Sequence, residues 1–200
     1  MKRFMSLSLL AFMISGCAWI DDLGTDESKA QFEFSASENL PEKYICISEQ
    51  FPMTLTDFDV DSPWDDLVRI QMYENISKPL LTNQLTVVFA QYNAETLEPC
   101  PEIDSLVGTT ISVGPNQCTS VYIQGNACLP AFTAHITGTM KLTSFSTERQ
   151  GRIEGTKTGQ LQDIQRIQTN DGNWREIVTD LGEIQGNFAF TLHAGAIWNP

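Results

Sequence analysis

Basic residues are scarce in this sequence. It has 12 Lys and Arg against 25 Asp and Glu, and its formal net charge is −13. Binding to nucleic acid requires clustered Lys and Arg that neutralise phosphates, and binding to anionic lipid headgroups requires a polybasic surface. The composition therefore argues against a nucleic-acid partner and against a domain that lies flat on charged lipid. An acidic surface of this kind keeps an exported domain soluble.

Catalytic motifs are also missing. The chain contains no Gly-x-Ser-x-Gly, no His-Glu-x-x-His and no glycine-rich phosphate loop before a helix. Its two histidines, His135 and His193, fall on the polar side of alternating segments, which favours exposed imidazoles over a ligand pair. We therefore expect a non-enzymatic protein with no catalytic residue and no cofactor.

The longest apolar run near the start of the chain is too short to span a membrane. It covers residues 4–14, eleven residues that follow Lys2 and Arg3. A membrane-spanning helix needs about 20 apolar residues. A short apolar run behind a positive end is typical of a secretory signal peptide.

The residues that close this run are Ile14-Ser15-Gly16-Cys17. They resemble the lipobox of bacterial lipoproteins, in which a branched apolar residue and two small residues precede a cysteine. In that family the peptide is cut before the cysteine, whose sulfur receives a diacylglycerol and whose new amino group is often acylated, for example by palmitate. The resemblance implies a signal peptide over residues 1–16 and lipid attachment at Cys17. It also implies that the protein is bound to a membrane through that lipid.

The residue after the lipobox bears on location. Ala18 stands where an Asp would retain an enteric lipoprotein at the inner membrane. By the same resemblance the outer membrane is favoured, and the periplasmic and extracellular faces both remain open. Residues 17–30 are polar and acidic, as in a tether, and residues 31–200 have the length of one domain.

Alternation of apolar and polar residues predicts that this domain is all-β. Phe132–Leu142 and Ile184–Leu192 alternate with a period of two, as in strands with one face in the core. The expected fold is a mainly antiparallel β-sandwich or open barrel, braced by disulfides. Shorter strand-like runs lie at 31–35, 43–48, 67–73, 85–92, 106–113 and 120–124.

Three of the later strands share a pattern in which a glycine follows two residues after an isoleucine. The pattern occurs at Ile136-x-Gly138, Ile153-x-Gly155 and Ile184-x-Gly186. Glycine weakens a strand, so a common row of glycines indicates either a bend in the sheet or something packed closely on it. A ligand lying on the row is the alternative to the bend.

Four cysteines remain besides Cys17, and outside the cytoplasm an even number predicts two disulfides. Zinc is disfavoured because no Cys-x-x-Cys pair is present. If residues 114–117 close a hairpin between the runs at 106–113 and 120–124, residues near 101–103 face Cys128. This register favours Cys100–Cys128 and leaves Cys46 for Cys118.

One cluster of acids could bind a cation. Asp57, Asp59, Asp61 and Asp65 lie in a run that resembles the start of Asp-x-Asp-x-Asp-Gly calcium loops. The run departs from that pattern at Ser62, where the turn glycine belongs, and at Val68, where the bidentate acid belongs. The alternative is an edge strand, in which successive same-face carboxylates stand about 7 Å apart.

The expected function is that of a binding or structural module of the cell envelope, held at the outer membrane by lipid. One alternative is a barrel that binds a small apolar ligand. The other is a glycan-binding β-sandwich, which would use exposed, coplanar rings of Trp64, Trp174 or Trp198. The sequence does not distinguish between a protein, a glycan and a small apolar ligand as the partner.

Overall fold

The structure is a computed structural model, and it describes residues 29–64, 67–74, 82–126, 128, 131–146, 151–169 and 171–191. Of residues 61–64 and 67 only the backbone is described. The lipobox and Cys17 lie outside these ranges, as do Asp65, His193 and Trp198. None of the helices in the described ranges is long and apolar enough to cross a membrane.

The described part of the chain is built mostly from β-strands, with a short 3-10 turn and two short helices. The strands are β1 (Lys29–Ala36), β2 (Met53–Leu55), β3 (Asp57–Trp64), β4 (Leu67–Tyr73), β5 (Gln84–Ala90), β6 (Thr110–Val113), β7 (Thr119–Gly125), β8 (Phe132–Ser144), β9 (Arg152–Gln168) and β10 (Trp174–Thr191). The 3-10 turn is Glu42–Tyr44, and the helices are α1 (Ile45–Glu49) and α2 (Ile103–Leu106).

The strands form one antiparallel sheet that curls into a nearly closed barrel. Their order is β2-β1-β10-β9-β8-β7-β5-β4-β3, with β6 paired to β8 off this path. The two strands at the ends of this order, β2 and β3, are separated in sequence only by Thr56. The backbone N–H of Thr56 already donates to the carbonyl of Tyr73 on β4. One run of chain therefore pairs with β1 at its start and with β4 at its end, which confirms the all-β, mainly antiparallel fold and resolves it as barrel-like.

The alternation read from the sequence marks the two faces of this barrel. In β8 the side chains of Ala134, Ile136, Met140 and Leu142 are buried, whereas the residues between them are exposed or half-buried. Aromatic rings fill the interior: Phe58 of β3 stacks on Phe190 of β10 at 4.4 Å between ring centroids, although these strands are not neighbours in the sheet.

The strand expected over residues 43–48 is wrong, because this segment forms the 3-10 turn and α1. Tyr44 and Ile47, three residues apart, are buried, whereas Ile45 is 46% exposed. That spacing is helical, so the apolar residues lie on one side of a turn and not on one face of a strand. Residues 37–50 form a segment between β1 and β2 that we call the plug.

Several contacts attach the plug to different parts of the barrel, among them a hydrogen bond from the N–H of Ser37 to the carbonyl of Leu181 on β10 at 2.8 Å. Cys46 forms a disulfide with Cys128, which follows β7. The hydroxyl of Tyr44 donates to the carboxylate of Asp163 on β9. The side-chain amide of Asn83, just before β5, donates to Gln50 at 2.9 Å.

The disulfides are Cys46–Cys128 and Cys100–Cys118, so the expected pairing of Cys100 with Cys128 and of Cys46 with Cys118 is wrong. The expected pairing assumed a hairpin between the runs at 106–113 and 120–124. A turn does form at Gly114, but no such hairpin follows, because β6 pairs with β8 and not with β7. Cys100 instead donates its N–H to Gln91, and Ala90 donates to the carbonyl of Cys118. Both cysteines therefore flank the end of β5.

The three Ile-x-Gly glycines do not form one row. Gly138 lies opposite Gly159, Gly155 opposite Phe188, and Gly186 opposite Lys157. A side chain at Gly155 or Gly186 would collide with the rings of Phe188 or Phe32. Aromatic rings of the chain itself occupy the space that these glycines leave, so the geometry does not favour a ligand on a glycine row.

The two disulfides close loops of very different length. Cys46–Cys128 spans 82 residues and Cys100–Cys118 spans 18. On the chain-entropy estimate these loops contribute about 4.5 and about 3 kcal/mol. We expect replacement of Cys46 and Cys128 by Ser to lower the free energy of unfolding more than replacement of Cys100 and Cys118. Urea denaturation of both variants tests the order, and non-reducing peptide mapping that recovers Cys100–Cys128 would refute the pairing.

Candidate functional site

The last two strands extend beyond the barrel. The pairing of β8 with β9 ends at Gln162, and the pairing of β1 with β10 ends at Gly182. Past these points, among the strands that the structure describes, β9 and β10 pair with no strand but each other, up to Gln168 opposite Trp174. We call the described residues 164–169 and 171–179 the arm. At about 3.3 Å per residue, the arm projects about 20 Å from the sheet.

The arm leaves large apolar side chains in water. Trp174 is 68% exposed and Val178 is 51% exposed, and both lie on one face with Ile164. On the other face, Ile167 is 40% exposed and Ile177 is 42% exposed. An isolated two-stranded ribbon is marginally stable in water, and exposed apolar patches of this kind mark interaction sites. The arm is therefore the candidate functional site.

Polar contacts hold the arm in shape. The guanidinium of Arg166 bonds the carboxylate of Glu176 across the two strands at 2.8 Å. At the tip, Asp171 accepts hydrogen bonds from the hydroxyl of Thr169 and from the side chain and backbone of Asn173, and these bonds lower the pKa of its carboxyl. The described residues 171–173 form the tip of the arm.

The base of the arm is linked to the plug. Asp163 is buried on the interior side of β9, where its carboxylate accepts hydrogen bonds from Tyr44 and Gln165. Lys43 lies 3.6 Å from the same carboxylate and 4.4 Å from the ring centroid of Tyr44. Burial and the hydrogen bond to Asp163 raise the pKa of Tyr44, so the phenol stays protonated and can donate at neutral pH.

The arm and the start of the barrel are far apart along β10. Lys29, where β1 begins, lies opposite Ala189 near the end of β10. The arm tip adjoins Trp174 at the beginning of the same strand. About 50 Å of strand separates the two points. A tether that enters at Lys29 would therefore join the domain at the end of β10 remote from the arm.

One of the two histidines can be placed. His135 lies on the outer face of β8, with its ring centroid 6.1 Å from that of Tyr122. Burial lowers the pKa of His135, although the nearby charge of Asp163 opposes this, and the ring is neutral at pH 7. Its Nδ1 is buried without a hydrogen-bond partner. In the part of the chain that the structure describes, no group of three or more His, Cys, Asp or Glu could hold a metal ion.

The least expected residue of the interior is Lys157. It falls on the core-facing side of β9 and is only 2% exposed. Its ammonium donates to the carbonyls of Thr158 at 2.9 Å and Thr139 at 3.3 Å. It reaches them beside Gly159, where a Cβ would stand 3.0 Å from the ammonium nitrogen. Burial lowers the pKa of Lys157 to about 8.

Burial of this lysine costs stability at neutral pH. Its pKa of about 8 in the folded protein lies below its ordinary value of 10.5, so the unfolded chain binds the proton more tightly. The free energy of unfolding is therefore lowered by the whole cost of the buried ammonium below pH 8. This cost disappears as the pH rises from 8 towards 10.5. We expect Lys157→Met to raise the free energy of unfolding at pH 7 by about 2–3 kcal/mol.

The gain of Lys157→Met should shrink between pH 8 and 9.5, as measured by urea denaturation against wild type. Lys141→Met, at an exposed lysine of the neighbouring β8, is the matched control and should change stability little at either pH. An equal or larger gain from Lys141→Met at pH 7 would contradict the assignment of the cost to the buried ammonium.

The acidic run lies in an extended strand. Asp57, Asp59 and Asp61 belong to β3 at one end of the strand order, and each lies opposite a residue of β4 in regular antiparallel register. Their alternation with Phe58 and Val60 is that of the edge strand considered above. Asp65 lies outside the described residues. Calcium binding by the four aspartates stays a prediction, and the strand geometry does not gather the first three around one point.

The tryptophans of the glycan-binding alternative can be placed only in part. Trp174 is exposed on the arm, the backbone of Trp64 ends β3 and Trp198 lies outside the described residues. An open pocket of about 310 Å³ lies elsewhere, lined mostly by polar residues of β1, β9 and β10, among them the acids Glu33 and Glu183. Its acid Glu33 accepts a hydrogen bond from Gln185 at 3.1 Å, so this carboxylate is already engaged within the chain.

Comparisons with known protein families, with curated proteins and with solved structures find no match to this chain. Its candidate site therefore rests on its own geometry. The sequence interpretation missed the arm, the contact between Tyr44 and Asp163, and Lys157. The available signal for the arm was the apolar residues interspersed among polar and charged ones on either side of residues 170–173, namely Ile164 and Ile167 before them and Trp174, Ile177 and Val178 after them.

Proposed function

We propose that the protein is a lipoprotein of the outer membrane, anchored through Cys17, whose barrel presents the arm as a non-enzymatic binding module of the cell envelope. The observation that carries the binding role is the arm itself. It is a two-stranded ribbon with exposed Trp174, Ile177 and Val178, joined to a barrel whose interior is filled by side chains.

The position of the arm fits an anchored protein. Lipid on Cys17 would hold the chain that enters at Lys29, and the arm begins at the other end of β10. A domain hung in this way directs its apolar arm away from the membrane to which it is attached. A cysteine that carries two or more lipid chains anchors a protein stably, so the domain itself does not need to bind the membrane. The arm is then available to a partner.

The alternatives have weaker support. A barrel that binds a small apolar ligand needs open interior space, and the described interior is packed with aromatic and aliphatic side chains. A glycan-binding face needs several coplanar exposed rings, and of the three tryptophans only Trp174 is described as exposed. We therefore prefer a protein partner at the arm.

The anchor is tested by Cys17→Ser. We expect the variant to keep its signal peptide uncut and unlipidated and to disappear from the detergent-soluble outer-membrane fraction. Mass spectrometry of the wild-type N-terminus should find a lipidated cysteine. An unmodified wild-type N-terminus together with unchanged fractionation of the variant would overturn the assignment.

The binding role is tested by a photo-crosslinking amino acid placed at Trp174 in intact cells. We expect a crosslinked protein adduct there and none when the probe replaces Thr156, an exposed residue of the barrel part of β9. The reason is that an apolar, unpaired ribbon offers binding energy that the polar wall of the barrel does not. Equal labelling at both positions, or none at Trp174, would argue against the arm as the binding site.

A further inference from the structure

Neither outer edge of the arm is paired with a strand in the part of the chain that the structure describes, and one hydrogen bond shows which residues of each strand direct their backbone N–H and C=O groups to these free edges. At the tip, the N–H of Thr169 donates to the carbonyl of Asn173 at 2.8 Å. In an antiparallel pair the residues alternate between those bonded to the paired strand and those whose N–H and C=O point outward. Arg166 and Gln168 therefore direct their backbone groups to the free edge of β9. No described strand pairs with β9 there.

Charge distinguishes this edge from the rest of the molecule. The chain carries a net charge of −13, so two copies repel each other over most of their surfaces. Residues 164–169 contain no acid, no proline and no lysine. Their one charge, on Arg166, is balanced by Glu176 of the same arm. Proteins commonly protect free edges with charge or proline, and this edge lacks such protection.

We propose that the free edge of β9 pairs with the same edge of a second copy of the chain. The two arms run antiparallel about a twofold axis and form a four-stranded sheet. This inference rests on the proposed function, in which the arm is the docking surface, and it names the occupant. A twofold contact closes on itself, so it yields a dimer and not a filament.

The charges also select the register. With a twofold axis perpendicular to the sheet, the same face of both arms lies on the same side of the four-stranded sheet. Each residue of one arm therefore lies opposite a residue from the same face of the other arm. A register centred on Arg166 would set two guanidinium groups opposite each other. One centred on Ile167 instead pairs the exposed Ile167 with its copy and lets Arg166 exchange backbone hydrogen bonds with Gln168 of the second copy. Like charges opposed across strands destabilise pairing, so the second register is favoured.

The free edge of β10 is less suited to the same contact. Registers centred on Arg175 or on Glu176 oppose identical charges. A register centred on Ile177 sets Glu176 of one copy diagonally beside two like charges of the other, Glu176 and Asp180, whereas the Ile167 register of β9 sets Arg166 diagonally beside one like charge, Arg166 of the other copy. Self-pairing is thereby directed to β9.

The contact between two arms is small. One short edge buries far less than about 1,200 Å², the lower end of the range for standard interfaces, so we expect a dissociation constant of about 1 μM or weaker in solution. Confinement of both copies to one membrane would raise their effective concentration.

Cysteine crosslinking of the whole protein in intact cells tests the register. In Ile167→Cys the two new thiols would meet at the twofold axis, whereas the four described cysteines are already in disulfides. We expect a disulfide-linked dimer on a non-reducing gel. Ile177→Cys is the matched control, because Ile177 lies on the same face of the arm and is equally exposed, at 42% against 40%. It should give no linked dimer.

Sedimentation of the purified mature protein over a concentration series tests the energetics. We expect wild type and Ile177→Lys to dimerise, and Ile167→Lys to raise the dissociation constant at least about tenfold because two ammonium groups would meet. A monomer at all concentrations without crosslinking of Ile167→Cys overturns the proposal, as does equal weakening by both lysine variants. If the probe at Trp174 labels a different protein while Ile167→Cys forms no dimer, the arm remains the binding site and the second copy is excluded as its occupant.

Discussion

Closure of the sheet by one run of chain is the constraint on which the rest of the structure depends. β2 and β3 lie at opposite ends of the strand order, yet only Thr56 separates them in sequence. The sheet must therefore curl until its two edges meet. Curling encloses one face of every strand, and the aromatic and aliphatic residues on that face become the interior. Lys157 falls on the same face and is enclosed with them, at a cost that two backbone carbonyls only partly offset.

The arm exists because two strands are longer than the barrel they complete. β9 has 17 residues and β10 has 18, whereas their neighbours β8 and β1 have 13 and 8. Within the barrel β9 and β10 each pair with a strand on both sides, and beyond it, among the strands that the structure describes, they pair with each other alone. The same alternation of residues that fills the core at Leu161 therefore leaves Ile167 and Ile177 in water on the side that continues the core-facing side, and Trp174 and Val178 are exposed on the opposite face. For Ile167 and Ile177, exposure is a consequence of strand length and not of a change in composition.

The plug ties the arm to the remainder of the fold. The covalent bond from Cys46 reaches the turn after β7, and the hydrogen bond from Tyr44 reaches Asp163 at the base of the arm. Only Ile45 separates Tyr44 from Cys46 in the sequence. The base of the arm is therefore positioned by a segment that a disulfide fixes to the barrel. This arrangement gives the projecting ribbon a rigid origin, which favours a defined docking geometry over a flexible one.

Local periodicity by itself determined the strands and their faces: β1, β4, β7, β8 and the end of β10 follow from alternation because a strand exposes its side chains with a period of two. The start of the chain likewise contains a lipobox-like motif that no long-range contact is needed to recognise. The disulfide pairing, the pairing of β6 with β8, the helical plug and the burial of Lys157 were decided only by tertiary structure. Each depends on which strands become neighbours once the sheet curls, and residues as distant as Cys46 and Cys128 carry no local mark of their partner.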